Sequence, residues 1–138
     1  MNFHVDLVPA SKARQVLLAS MTEKEFAQAV VELAHLNGWM CAHFRPAMTG
    51  RVDKRGRPIW VTAVQADGAG YPDLTLVHPE RAEIIFAELK KEGANPSPEQ
   101  EEWLAALRAC ETETVVKVYV WHPHDLDVIA AILGNAGP

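Results

Sequence analysis

The sequence predicts one α/β (α+β) domain with a mixed central sheet and helices on its faces. Two observations predict this class. Residues 73–90 contain two short runs of alternating character separated by Pro79-Glu80-Arg81-Ala82, which is the pattern of an antiparallel hairpin. A helical segment capped by Ser97 then separates the hairpin from a strongly apolar strand at 115–121. A crossover of that length permits parallel pairing, so the predicted sheet contains both kinds of neighbour.

Composition is that of an ordinary globular protein. The chain has 138 residues, of which 49% are apolar and 22% are charged, enough for one core and one domain. A net charge of −5 argues against a general nucleic-acid binder. No apolar run is long enough to cross a bilayer and no secretory leader is recognised, so no membrane partner is expected. Cys41 and Cys110 are interpreted as reduced thiols of a cytosolic protein.

The first firm helix begins at Thr22. Residues 1–21 are assigned to an N-terminal extension in which a short helix reaches Leu18, and residues 22–138 to a single domain. Thr22 and Glu25 form the pattern of a capping box. Apolar residues then recur at helical spacing until Asn37-Gly38, a pair that is typical of a helix end.

Strands and turns alternate through the rest of the chain. Strands are predicted at 39–44 and 59–64, separated by a loop over 45–57, which is rich in glycine, proline and basic residues. The hairpin strands at 73–78 and 83–90 follow. The Ser97 helix, the strand at 115–121 and a last helix at 125–133 complete the order.

The hairpin brings three charged residues together. A turn centred between Glu80 and Arg81 places Asp73 opposite Glu88, on the same side of the sheet. Lys90 shares that side because side chains alternate along a strand. Two facing carboxylates repel each other, and a divalent oxygen-preferring cation between them would remove the conflict.

Two acids of the first helix are candidates to join this group. Glu23 lies on the apolar stripe that faces the sheet, whereas Glu25 is already used in the capping box. Glu23 is therefore the better candidate. Both residues also fit a purely structural role, because acids in a first turn complement the helix dipole.

Basic residues concentrate in one segment of an otherwise acidic chain. They are candidate phosphate contacts, although a solvated loop explains them equally well. The cluster consists of Arg45, Arg51, Lys54, Arg55 and Arg57, against the single acid Asp53.

The run His122-Pro123-His124-Asp125 is interpreted as a strand end and a helix cap. It lacks the ligand spacing of a zinc motif.

The motif Gly70-Tyr71-Pro72-Asp73, followed by Glu88-Leu89-Lys90, resembles the PD-(D/E)xK nuclease motif. Together with SPEQEEWLAAL, VYVWHPHDLDVI and the preceding TEKEFAQAVVELAHLNGW, it makes residues 22–133 resemble the VRR-NUC branch of that superfamily. The similarity is greatest to its small stand-alone members in phages and bacteria. The resemblance implies a restriction-endonuclease-like αβββαβ core. The segment 47–68 departs from it as a long insertion.

The resemblance also implies roles for single residues. Asp73 and Glu88 match the metal-binding acids, with the Leu89 carbonyl as a further ligand, and Lys90 matches the catalytic lysine. Gln100 matches a glutamine of the second helix, which spacing alone would leave on the helix surface. Either Glu23 or Glu25 matches the acid of the first helix.

The implied activity is cleavage of DNA by an Mg²⁺- or Mn²⁺-dependent endonuclease. The implied substrate is branched or flapped DNA, in the cytoplasm of a bacterium or a phage-infected host cell. A homodimer would suit a two-fold junction. A non-catalytic DNA-binding module that retains the fold is the alternative, and a sequence-specific restriction enzyme would need more chain for base readout.

Overall fold

The computed structural model describes residues 10–44, 47–61 and 66–134. The order α2-β1-β4-β5-α3-β6 is the predicted αβββαβ core. A short 3₁₀ turn at Pro123–Asp125 precedes the last helix. The elements are α1 (Ala10–Ser20), α2 (Glu23–Leu36), β1 (Met40–His43), β2 (Ala47–Val52), β3 (Pro58–Val61), β4 (Leu74–His78), β5 (Glu83–Leu89), α3 (Pro98–Arg108), β6 (Val116–Trp121) and α4 (Leu126–Gly134).

The main sheet has four strands in the order β1-β4-β5-β6. The pairs β1–β4 and β4–β5 are antiparallel, and β5–β6 is parallel, which confirms the predicted mixed sheet. In the hairpin His78 pairs with Glu83 and Thr75 with Phe86. The predicted hairpin register is therefore confirmed.

The core lies on one face of this sheet, beneath α2 and α4. The capping box at the start of α2 is present as predicted, with Thr22 Oγ1 accepting from the Glu25 N–H and the Glu25 carboxylate accepting from the Thr22 N–H. Apolar side chains from both helices and from alternate strand positions pack into one cluster, whose largest fully buried members are Phe26, Val30, Leu74, Leu76, Ile85, Ile129 and Leu133.

The opposite face of the hairpin is covered by α3. Strand side chains alternate, so Phe86 and Glu88 face away from the α2 side, where Ile85 and Ala87 are buried. Glu88 contacts α3 through Gln100. The fold therefore encloses one charged residue of β5 between the sheet and a helix.

The prediction of a loop over all of 45–57 is wrong, because Ala47–Val52 forms β2. This strand pairs with β3 in a separate antiparallel two-stranded sheet. The turn between them is held by Asp53, whose Oδ1 accepts from the N–H groups of Arg55 and Arg57 at 2.8 and 3.0 Å. Gly56 adopts a φ of +76°, which favours glycine. Residues 62–65 of the strand predicted at 59–64 lie outside the described residues.

The helix predicted near the N-terminus is α1, and it runs to Ser20. Its Leu18 side chain is buried, and Arg14 forms a 3.1 Å ion pair with Asp127 at the start of α4. Within the described ranges, no helix combines the length and apolarity that a membrane span requires.

Candidate active site

Two carboxyl groups face each other at the open end of the β4–β5 hairpin. Leu74 pairs with Ala87, so Asp73, one residue earlier, and Glu88, one residue later, meet across the end of the ladder. The Asp73 carboxylate is held in place, because its Oδ2 accepts a 2.9 Å hydrogen bond from the Leu89 N–H. Glu88 is only 1% exposed, and its Oε2 has no hydrogen-bond partner among the described residues. A buried oxygen without a partner is rare and calls for a ligand.

The electrostatics of the pair explain that arrangement. Burial, followed by the adjacent Asp73 carboxyl, raises the pKa of Glu88 to about 9, although Lys90 opposes the shift. At neutral pH the metal-free pair therefore holds one proton on Glu88. A divalent cation can replace that proton, because its charge favours both ionised carboxylates.

Lys90 is the first residue after β5. Its backbone N–H donates to the Trp121 carbonyl at 2.9 Å, so the strand pairing still guides the chain at this point. The ammonium Nζ lies 3.9 Å from Glu88 Oε1, and the side chain is 15% exposed. The hairpin and β6 together thus hold one positive charge next to the acidic pair.

Gln100 is held at both ends of its amide group. Its Oε1 accepts from the Ser97 N–H at 2.7 Å within the capping box of α3, and its Nε2 donates to Glu88 Oε1 at 2.8 Å. Only the amide oxygen can accept from Ser97, so the NH₂ group must face Glu88. The residue therefore caps α3 and orients the buried carboxyl group at the same time.

Replacing Gln100 with Glu tests this orienting role. The variant keeps an oxygen for the Ser97 N–H, so we expect α3 and the melting temperature to change little. It removes the donor to Glu88 and adds a third acid, so the affinity for Mn²⁺ should fall on the order of 10- to 100-fold, as is usual when a group that orients a ligand is lost. Calorimetric titration with Mn²⁺ measures the effect.

Glu101→Gln is the matched control, because it removes a charge from an exposed residue of the same helical turn. Equal Mn²⁺ affinities for Gln100→Glu and wild type would leave Gln100 with the capping role alone.

The loop before β4 positions Asp73. Gly70 has a φ of +85°, and a Cβ there would lie 2.5 Å from the Glu99 backbone, so the loop approaches α3 as only glycine permits. The Tyr71 hydroxyl lies 2.8 Å from Thr75 Oγ1, and its ring packs edge-on against Trp103. Asp73 is thus braced between β4 and α3. The sequence motif contained these residues without revealing this bracing.

The two acids at the start of α2 differ in their environment. The Glu25 carboxylate is engaged in the capping box, and the hydrogen bonds from Thr22 lower its pKa. Glu23 is exposed, but its charge contributes to the raised pKa of Glu88. The structure therefore places Glu23, rather than Glu25, within electrostatic reach of the acidic pair.

The basic residues lie in and beside the β2–β3 turn. Arg57 is engaged there, since its Nε donates to Asp53 Oδ2 at 3.0 Å. Arg51, Lys54 and Arg55 have exposed side chains. Arg45 lies outside the described residues. The structure thus gathers three of the five predicted basic residues on an exposed hairpin and uses a fourth to hold its turn.

Comparison with protein families agrees with this geometry. The model of the VRR-NUC domain matches residues 11–121, about four-fifths of the chain. The match includes α1, the whole hairpin, α3 and β6. Nucleases of this kind typically use divalent metals.

No curated protein and no solved structure matches the chain. The family match agrees with the mixed sheet and the helices described above. The chain therefore belongs to the VRR-NUC family, and it is a nuclease-type domain that acts on DNA.

Proposed function

We propose that this domain is a divalent-metal-dependent endonuclease that hydrolyses phosphodiester bonds in branched or flapped DNA. The observation that supports this most directly is the acidic pair. Glu88 is buried opposite Asp73 with one unpartnered oxygen, and the Lys90 ammonium lies beside it. Burying a carboxyl group in this way costs stability, and a bound cation offsets that cost.

The donor set suits Mg²⁺ or Mn²⁺. Asp73, Glu88 and the Leu89 carbonyl would hold the ion, because Mg²⁺ takes one or two carboxylates and keeps its other positions for water and phosphate oxygens. When bound, the ion supplies Lewis-acid polarisation and a water of lowered pKa.

The chain's own groups then have separate tasks. Gln100 keeps the Glu88 carboxyl group turned toward Asp73, and the Leu89 N–H keeps Asp73 in place. Lys90 provides positive charge where negative charge develops on the phosphate. We propose that Glu23 adds a further acid at the rim of the site.

The exposed β2–β3 hairpin provides a second point of contact with DNA. Its basic residues are suited to phosphates, which position a substrate without reading its sequence. This favours recognition of DNA shape over sequence. We propose that the domain acts in the cytoplasm of a bacterium or a phage-infected cell, and a homodimer would suit cleavage of paired strands.

A panel of DNA substrates tests the proposed function. Four-way junction, 5′ flap, 3′ flap, nicked, single-stranded and linear duplex DNA are incubated with the protein in Mg²⁺, in Mn²⁺ or in EDTA, and the molar mass in solution is measured in parallel. We expect metal-dependent cuts in the branched substrates and none in EDTA. DNA binding without cleavage in either metal would instead establish the binding-module alternative.

The contribution of the basic hairpin can be measured separately. Changing Arg51, Lys54 and Arg55 together to Gln should weaken DNA binding and flatten its dependence on salt, by up to about 2.7 in the slope of log K against log [salt] if all three contact phosphates of duplex DNA. Arg57 is left intact because it holds the turn.

Arg108→Gln is the matched control for this triple variant. It removes an exposed positive charge from the last turn of α3, whereas Gln100 lies in the first turn. Mn²⁺ affinity should be unchanged in both proteins. A triple variant with the wild-type salt slope would show that the hairpin does not contact the DNA backbone.

A further inference from the structure

A second group of potential metal ligands lies directly after β6. One nitrogen each of His122 and His124 and one oxygen of Asp125 all lie within 4.8 Å of one another. His124 Nε2 is 3.2 Å from Asp125 Oδ1, and His122 Nδ1 is 3.9 Å from Asp125 Oδ2. Ligand atoms around a tetrahedral Zn²⁺ are separated by about 3.3 Å, given bonds of about 2.0–2.1 Å. The distance of 3.2 Å between His124 Nε2 and Asp125 Oδ1 is already close to this value.

The other ring nitrogens show which atoms are available. His122 Nε2 lies 2.8 Å from the Ala94 carbonyl, which can only accept, so this nitrogen carries the proton. His124 Nδ1 lies 2.9 Å from the Glu92 carboxylate and likewise donates to it. The neutral form of each ring therefore has its lone pair on the nitrogen that faces Asp125.

This arrangement is the one that metal-binding histidines adopt. A ligating imidazole almost always donates its second N–H to a carbonyl or a carboxylate, which sets the tautomer and the ring orientation. Here one histidine uses a carbonyl and the other a carboxylate. Two such contacts, both from the segment between β5 and α3, are more than a helix cap requires.

We propose that His122 Nδ1, His124 Nε2 and the Asp125 carboxylate form a second metal site, for Zn²⁺ or a similar borderline transition ion. Imidazole nitrogens select such ions, whereas the all-oxygen set of Asp73, Glu88 and Leu89 suits Mg²⁺ or Mn²⁺. Three protein ligands leave a fourth position for water. The more distant ligand atoms need to approach by roughly one to one and a half ångströms, which side-chain rotation at this half-exposed site permits.

The position of the site suggests what the ion does. Glu92 and Ala94 belong to the segment that leads from Lys90 to Ser97 and Gln100. Their contacts with the two histidines tie this segment to the end of β6. A bound ion would strengthen those contacts and so hold the connection between the catalytic lysine and the α3 cap. This site does not depend on the nuclease proposal.

The alternative is a group of ion pairs without a metal. His124 can be protonated and pair with Glu92 and Asp125 at the distances observed. In this alternative Asp125 Oδ2 accepts from the His122 backbone N–H at 2.9 Å, the His122 ring stacks on His124, and His122 Nδ1 is too far from Asp125 for a hydrogen bond. The two readings predict different behaviour toward Zn²⁺.

Calorimetric titration of tag-free, metal-stripped protein with Zn²⁺ tests the proposal. The Glu88→Gln variant is used as the parent, so that the acidic pair does not contribute. We expect one Zn²⁺ per chain, a melting temperature that rises with Zn²⁺ and not with Mg²⁺, and a tetrahedral visible spectrum with Co²⁺. Absence of saturable Zn²⁺ binding in this parent would overturn the proposal.

Variants in the same parent locate the site. His122→Ala and His124→Ala should each lose the binding, and His35→Ala, which removes an exposed histidine of α2, should retain it. Glu92→Gln keeps an oxygen for the His124 backbone N–H but loses the carboxylate, so Zn²⁺ affinity should fall 10- to 100-fold in a folded protein. Unchanged affinity in Glu92→Gln and both histidine variants would place the bound Zn²⁺ elsewhere and overturn the assignment to these residues.

Discussion

Lys90→Ala should reduce the rate of DNA cleavage by about 100-fold or more at saturating Mg²⁺, while DNA affinity stays close to that of the wild type. The ammonium lies beside the acidic pair, and in the proposed function negative charge develops on the phosphate at this position. An interaction made mainly in the transition state affects turnover more than binding. Single-turnover cleavage and a binding titration in Ca²⁺ measure the two quantities.

Lys91→Ala is the matched control, because the neighbouring side chain is exposed and alternation directs it to the other side. Asp73→Ala should also be inactive, but because it binds the metal weakly. Excess Mn²⁺ should therefore partly restore cleavage by Asp73→Ala and should not restore cleavage by Lys90→Ala. Wild-type cleavage by Lys90→Ala would contradict the assignment of this site as the nuclease centre.

Glu88→Gln should abolish cleavage and yet stabilise the metal-free protein. Its amide nitrogen carries hydrogens at every pH without adding a charge, and its oxygen can still accept from Gln100. The wild-type protein must keep Glu88 protonated to fold, at a cost that grows with pH. At pH 7 that cost is on the order of 3 kcal/mol, because the pKa of this carboxyl is raised from 4.5 to about 9.

The sign of the pH dependence follows from proton binding. Between the unfolded pKa of 4.5 and the folded pKa of about 9, the native state holds one proton that the unfolded state has lost. The free energy of unfolding of the wild type therefore falls by about 1.4 kcal/mol per pH unit through this group. Glu88→Gln lacks this loss, so the difference in free energy of unfolding between the variant and the wild type should grow from pH 5 to pH 8.

Urea unfolding in EDTA at several pH values measures this difference. Added Mn²⁺ should reduce the stability difference between Glu88→Gln and the wild type, since only the wild-type carboxylate binds the ion well. Gln100→Ala in the wild-type background is a comparison for loss of packing without loss of the acid. A stability difference that is constant with pH would mean that Glu88 is ionised in the metal-free fold.

The sequence by itself determined the local elements. The capping boxes at Thr22 and Ser97 involve residues three apart, and the hairpin register follows from a turn of four residues, so both depend on short-range chemistry. The parallel pairing of β5 and β6 also followed, because the helix between them leaves room for a crossover. Period-two alternation and the hairpin register together predict that Asp73, Glu88 and Lys90 share one side of the sheet.

The insertion was not predictable in the same way. Residues 47–52 contain a glycine and few β-branched residues, so their propensity indicates a loop. They form β2 because β3 pairs with both ends of the segment, across an irregularity between Met48 and Val52, and because Asp53 organises the turn between the strands. Strand formation here depends on pairing, which no single segment reveals.

Tertiary structure alone decided the chemistry of the sites. Glu88 is neutral at pH 7 in the metal-free protein because α3 covers it, and spacing along β5 contains no information about that cover. The sequence already favoured Glu23 over Glu25, and the fold adds that the charge of Glu23 acts on Glu88. The orientation of His122 and His124 depends on Ala94 and Glu92, which are 28 and 32 residues away in the chain. Sequence patterns report residue type and face, whereas burial and long-range hydrogen bonds set the protonation and the ligand geometry.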